Sequence, residues 1–346
     1  MMRRDLDYRP PKSVDERDFV FEDGEVKKNG QTLYRLGASA AINNTTLAYY
    51  KLNVSQVDSQ GGIGACTAFA VSTMYEQLMG SQVIQLSPMF NYSNSRIIDG
   101  DNLDEDPGTT LQTACGNLRL AGICRETTWP YTQANFGVRP YNKAYEEASV
   151  LASSIDYVSL SRTLSNIKLA IGTYGYLVSI GFIVGSKYES AETISTGDIQ
   201  MEDPATMTVI GGHALNLCGW DDANQRFIVV NNYGTSYGNG GYGTIPYQYV
   251  LSTDLTPEIK TFIPRESFHN QLSDFVSYTG ATSGQSTRPP LLIQSDDART
   301  SLLLIVLLAF MLMFCIVYYG LATALLVLAS FMVGYFGQSY FGQTRL

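Results

Sequence analysis

The sequence is short of the residues from which most recognisable sites are built. Histidine occurs twice in 346 residues and cysteine five times, at positions 66, 115, 124, 218 and 315. No two cysteines form a CxxC pair and no spacing suits a zinc ion, which argues against a structural metal site and a disulfide framework. So sparse and odd a set points to a reducing compartment. Basic residues are few as well: 23 Lys and Arg stand against 32 Asp and Glu, for a net charge of −9. With no basic stripe to neutralise phosphates, a nucleic-acid partner is not expected. The opening stretch MMRRDLDYRPPKSVDERDFVF has no apolar core and does not read as a secretory signal. The sequons at Asn43, Asn44, Asn53 and Asn91 are therefore read as accidental. A hydrophobic content of 45% with 16% charged residues fits a globular chain and excludes a disordered one.

One stretch lacks charge altogether. Residues 302–336, LLLIVLLAFMLMFCIVYYGLATALLVLASFMVGYF, run 35 residues without an ionisable acid or base. A straight helix of that length would reach about 50 Å, against a hydrocarbon core of about 30 Å. Two readings stay open. The run crosses a bilayer twice, turning near Tyr318–Gly320, or it crosses once as a tilted helix with the excess along the surface. The preceding segment is rich in Ser, Thr, Gly and Pro and reads as a tether. The expected organisation is an N-terminal extension (1–53), a main body (54–272), a flexible linker (273–300), a transmembrane anchor (301–337) and a short tail (338–346). The body is expected on the cytosolic side, with the lipid membrane as a partner.

What is present is concentrated around one cysteine. In QGGIGACTAF (60–69), Cys66 follows a glycine-rich turn and opens a helical pattern that includes Phe69, Met74 and Leu78. A thiol attacks carbonyls as thiolate, so it needs a base nearby and gains from a helix N-terminus. His213 lies in IGGHALNLCGWDD, which reads as a strand. A turn at Asp221–Asp222, a second strand RFIVVNN (226–232), a glycine-tyrosine loop and a third short strand complete an antiparallel meander. A strand pair can bring His213 and Asn231 together, and an Asn can hold an imidazole in orientation. The Cys66 backbone N–H and the Gln60 side-chain amide can supply an oxyanion hole.

These segments together resemble the papain family of cysteine peptidases. The 147-residue separation of Cys66 from His213 suits the family. So do LSPMFNYSNSR (86–96), GTTLQTACGNLRLAGICRETTWPY (108–131) and IKLAIGTYGYLVSIGF (167–182). The resemblance implies a two-lobed α+β fold, with a helical lobe and an antiparallel β-barrel-like lobe, followed by the transmembrane segment or helical hairpin. It implies Cys66 as nucleophile, His213 as base and acid, Asn231 as orienting residue and Gln60 as oxyanion donor. Tyr233 stands where the family has a tryptophan over the Asn–His bond. Ile63 and Thr67 replace a cysteine and a tryptophan, as in a divergent, non-secreted branch found in prokaryotes and large DNA viruses; VDERDF (14–19) fits that branch loosely. The implied activity is peptide-bond hydrolysis through a thioester, with protein or peptide substrates and no cofactor. A membrane-anchored structural or interaction protein, for example a virion component associating with other virion or membrane proteins, is the alternative. Acyl transfer or isopeptide cleavage would use the same machinery.

The remaining candidates read as structure. Cys115, Cys124 and Cys218 are expected to be core thiols, Cys315 to lie in the apolar tail, and His269 on the surface. The run Asp99–Asp106 matches no calcium loop and is expected to be solvated. The glycines of GNGGYG lack a following Lys-Ser/Thr and read as a loop beside the cleft.

Overall fold

The computed structural model describes residues 6–11, 19–37, 44–80, 82 and 84–280. The apolar run 302–336, most of VDERDF and the linker beyond residue 280 lie outside the described residues. No helix among those described is long and apolar enough to cross a membrane.

The chain begins with three short strands, β1 (Val20–Glu22), β2 (Glu25–Lys28) and β3 (Gln31–Arg35), and then β4 (Tyr49–Lys51). Helices α1 (Cys66–Met79), α2 (Pro88–Asp99), α3 (Leu111–Ala121), α4 (Gln133–Phe136) and α5 (Asn142–Ser149) follow. The remainder alternates: β5 (Ile155–Leu160), α6 (Leu164–Gly172), β6 (Val178–Gly185), α7 (Ala191–Thr196), β7 (Val209–Asp221), β8 (Arg226–Val230), β9 (Tyr242–Pro246), α8 (Tyr247–Leu251), β10 (Glu258–Pro264) and α9 (Phe268–Ser277).

All strands join one sheet in the order β3-β2-β1-β5-β10-β6-β7-β8-β9, with β4 on β7. The expected meander is present: β7 pairs antiparallel with β8, and β8 with β9. The sheet is nevertheless mixed, because β1 lies parallel to β5. The other strand pairings are antiparallel, but the chain leaves β1 and returns to β5 only after building the helices. Residues assigned to an N-terminal extension thus supply four strands to the same sheet as the body. The body also runs past its expected end at 272. α9 continues through Ser277 because Phe275 is buried and Arg125 caps the helix, donating to the carbonyls of Phe275 and Val276.

Local chemistry explains the helices that carry the site. α1 is buried on nearly every face, including Phe69, Val71, Met74 and Tyr75, so it forms the axis of the helical lobe and not a surface helix. Each such side chain stabilises by roughly 1.5–3 kcal/mol on burial. The turn before it needs a left-handed residue, supplied by Gly61 at φ +62°. Ala65 provides no side-chain cap, which leaves the first N–H groups of α1 to the atoms around Cys66. α2 starts with Ser87 accepting from Phe90 N and Pro88 in the first turn, and stops at Gly100 in the left-handed region. α3 is capped by Thr110, which accepts from Thr113 N.

Candidate active site

The turn before Cys66 is tied from several sides. Gln60 N donates to Asn232 O at 2.9 Å, and Tyr131 OH donates to Gln60 O at 2.8 Å. The Gln60 side chain is buried, and one N–H of its amide goes to Ile63 O at 3.0 Å. Gly64 N donates to Asp106 Oδ2 at 2.9 Å, while Tyr92 OH donates to the other carboxylate oxygen. The loop carrying Asp106 is fixed by the fully buried Arg96. Its guanidinium donates to the carbonyls of Leu103, Glu105 and Phe136 and stacks on the Tyr92 and Phe136 rings. The acidic run expected to be solvated is therefore largely engaged: Asp106 holds the nucleophile turn, and Asp99 and Asp101 pair with Arg9. Sequence pattern missed this because the partners are a backbone N–H and an arginine 90 residues away.

On the sheet, His213 lies in β7 opposite Phe182 of β6, and Asn231 follows the end of β8. His213 Nε2 and Asn231 Oδ1 are 2.9 Å apart. Asn231 Oδ1 also accepts from Asn232 N at 2.9 Å, and its Nδ2 donates to Tyr188 OH at 3.1 Å. These two bonds fix which end of the amide is oxygen. Nε2 must then carry the ring proton, which leaves Nδ1 as the basic nitrogen. Tyr233 lies 4.8 Å from the imidazole, centroid to centroid, with Tyr188 and Phe182 at 5.6 and 5.7 Å. Tyr233 thus shares a wall of the imidazole pocket with two aromatic rings.

Asn232 joins the two walls. Its Nδ2 donates to Cys66 O at 3.0 Å and to Ala214 O at 3.2 Å, so the first residue of α1 lies against the residue after His213. Cys66 and His213 are both fully buried, and Asn231 nearly so. Burial pushes the Cys66 thiol up to about 12, and the charge of Asp7 adds to this; the N–H groups of Ala214, Thr67 and Cys66 itself pull the other way. Cys124 and Cys218 are pushed up by burial too, so acidity does not single out Cys66. Its place does: it opens α1 and is joined through Asn232 to Ala214, the residue after His213. Such an arrangement can pass a proton from thiol to imidazole and stabilise an oxyanion. The sequence pattern did not mark Asn232, Tyr188 or Asp106; only the NN doublet hinted at the first.

His269 is exposed on α9, and Asp222 pairs with Lys168 at 2.5 Å. Among the described residues, no group of three or more His, Cys, Asp or Glu could hold a metal ion.

Residues 43–255 match the family model described as papain family cysteine protease. The chain belongs to the papain family of cysteine proteases. An uncharacterized peptidase C1-like protein of Acanthamoeba polyphaga mimivirus is 31% identical over 217 residues, covering 59% of this chain and 68% of that one. Cysteine endopeptidase Rep1 of Oryza sativa subsp. japonica is 26% identical over 194 residues, covering 55% of this chain, which spans only 49% of that relative. Among solved structures, xylellain, a cysteine protease from Xylella fastidiosa, superposes with a TM-score of 0.63 at 24% identity, covering 77% of this chain and 99% of that chain. At that identity the likeness is one of fold. The papain-like α+β fold and the cysteine protease domain are thereby established.

Proposed function

We propose that this chain is a peptidase that cleaves peptide bonds through a thioester on Cys66. His213 takes the thiol proton, and the thiolate attacks the substrate carbonyl. The Cys66 backbone N–H and the second N–H of the Gln60 amide stabilise the oxyanion. His213 then protonates the leaving amine and activates the water that releases the acyl group. Asn231 holds the imidazole, and Tyr188 holds Asn231. The observation that carries this reading is Asn232 bonding both the Cys66 and Ala214 carbonyls beside the His213–Asn231 pair. Modification of the full chain with an epoxysuccinyl probe tests it. Adduct on Cys66 alone, absent in His213→Ala, supports the thiol–imidazole pair; labelling indifferent to His213 contradicts it.

The apolar run 302–336 would tether the peptidase to a membrane, restricting it to nearby proteins and raising their effective concentration. With the body on the cytosolic side, protease added outside sealed vesicles made with the full chain would digest the body. Protection of the body would sink this topology.

A further inference from the structure

Asn232 stands where the chain changes partners. The β7–β8 register sets Asn216 opposite Val230, and carried two residues further it would set Ala214 opposite Asn232. β8 ends at Val230, however, and the backbone beyond Asn231 runs antiparallel to the segment before Cys66. Ser59 pairs with Tyr233, Gln60 N donates to Asn232 O at 2.9 Å, and Gly234 N donates to Asp58 O at 2.8 Å. The main chain of Asn232 thus serves the approach to the nucleophile, and contact with β7 at that step falls to its side chain.

The side chain makes that contact and reaches α1 as well. Nδ2 carries two protons and donates to Ala214 O at 3.2 Å and to Cys66 O at 3.0 Å. The end of the amide facing those carbonyls has to be nitrogen, because an oxygen there would meet two acceptors. Oδ1 is thereby turned into a buried position where it has no hydrogen-bond partner among the described residues. One orphaned acceptor destabilises the fold. In return, the first residue of α1 is linked to the residue after His213. A serine hydroxyl would bring one proton to the two carbonyls, and an ionised aspartate none. Asn232 N completes the set by donating to Asn231 Oδ1 at 2.9 Å. One residue therefore touches Cys66, Gln60, Asn231 and the strand that carries His213.

Building on the peptidase reading above, we infer that Asn232 is a positioning residue of the enzyme: its amide latches α1 to β7 and sets the separation at which the Cys66 thiol gives its proton to His213. The latch governs formation and reaction of the thiolate and leaves substrate binding alone, because Asn232 is 6% exposed and both of its side-chain N–H groups face main-chain carbonyls.

The test uses the full chain carrying Asn232→Asp or, separately, Asn232→Ala. The aspartate keeps the shape of the side chain but turns a carboxylate on two carbonyls, and a proton restores one donor. Titratable groups on the elements packed against position 232 are Cys66 of α1, His213 of β7, Asp58 of the paired segment and Tyr233 beside it. All four remain in the variant, so the ratio of variant to unaltered rate at each pH reports the introduced carboxyl. Alkylation of Cys66 by iodoacetamide is followed by mass spectrometry from pH 5 to 8, with His213→Ala as reference, and kcat and KM are measured on a cleaved peptide. Asn232→Asp is expected to alkylate within about threefold of the unaltered chain at pH 5 and at least ~10-fold more slowly at pH 8. Asn232→Ala, without a donor at any pH, is expected to lower kcat about 10-fold with KM within about twofold, and to slow alkylation evenly across the range. A constant ratio for Asn232→Asp from pH 5 to 8 would overturn the latch and leave the peptidase reading standing. So would a fall in melting temperature with kcat retained in Asn232→Ala, the mark of a merely structural link; this variant decides if the aspartate chain does not fold. Alkylation of the unaltered chain that ignores His213→Ala would instead overturn the peptidase reading, and the positioning role with it.

Discussion

The two walls of the cleft hold their functional groups by different means. On the sheet wall, His213 sits among the rings of Phe182, Tyr188 and Tyr233, and its partner Asn231 is oriented by one hydroxyl and one backbone N–H. Strand register sets these positions, and aromatic packing keeps them. On the helical wall, Cys66 starts a helix without a side-chain cap, and the turn before it is held by Asp106, Arg96 and Tyr131 through hydrogen bonds to backbone. The imidazole is fixed by packing against the sheet, the turn before Cys66 by polar contacts from loops. Damage to the sheet wall should therefore act on chemistry with little loss of fold, while damage to the helical wall should act on stability and chemistry together.

The sharpest break in that contrast is His213→Ala. It is expected to lower kcat for a cleaved peptide by at least ~1000-fold, since proton transfer and thiolate formation both fail. The melting temperature should change little. On the other wall, Arg96→Met removes a buried cation that satisfies three carbonyls. It is expected to cost about 3 kcal/mol of stability in urea unfolding and to slow Cys66 alkylation in the same variant. Loss of activity without loss of stability would show that the loop carrying Asp106 is not held as described.

A pH-dependent difference is expected on the helical side. Burial raises the Glu76 carboxyl to about 8, and Glu126 is raised to about 7 by the same cause. The folded chain therefore holds these protons more tightly than the unfolded one. Their favourable contribution is full below about pH 4.5 and is lost as pH rises toward the folded values, each tenfold difference in proton affinity being worth roughly 1.4 kcal/mol. Glu76→Gln, which can still accept from Leu86 N, should flatten the fall in melting temperature between pH 5 and 8. An unaltered slope would contradict the burial assigned to Glu76. The smallest effect expected is from Tyr188→Phe, which strips Asn231 Nδ2 of its acceptor. It should cost about 1 kcal/mol in the transition state, near fivefold in kcat, with the fold intact.

The sequence made the sheet wall more legible than the helical wall. His213, Asn231 and the strands around them stand in order along a meander whose alternation and turns are local signals, and α1 starts at Cys66 as its glycine turn foretold. Gln60, the residue across that turn, lies beside it with its side-chain amide turned to Ile63 O. What was hidden depends on long-range pairing. The parallel β1–β5 contact crosses the whole helical lobe, Asp106 is recognised only by the N–H it meets, and Tyr8 reaches Glu258 across 250 positions. No window of sequence contains both partners of such contacts. The hydrophobic tail was the loudest local signal, and it lies outside the described residues.

The central claim is that Cys66 and His213 act as one pair. The pH profile of Cys66 alkylation in the full chain tests it directly, with His213→Ala in a parallel sample. A working pair is expected to keep the rate high down to about pH 5, where a lone thiol is almost wholly protonated. Adding His213→Ala should remove that low-pH limb and leave a rate that climbs only near pH 8.5 or above. One steep rise above pH 8 in both samples would mean that the thiol and the imidazole do not share a proton.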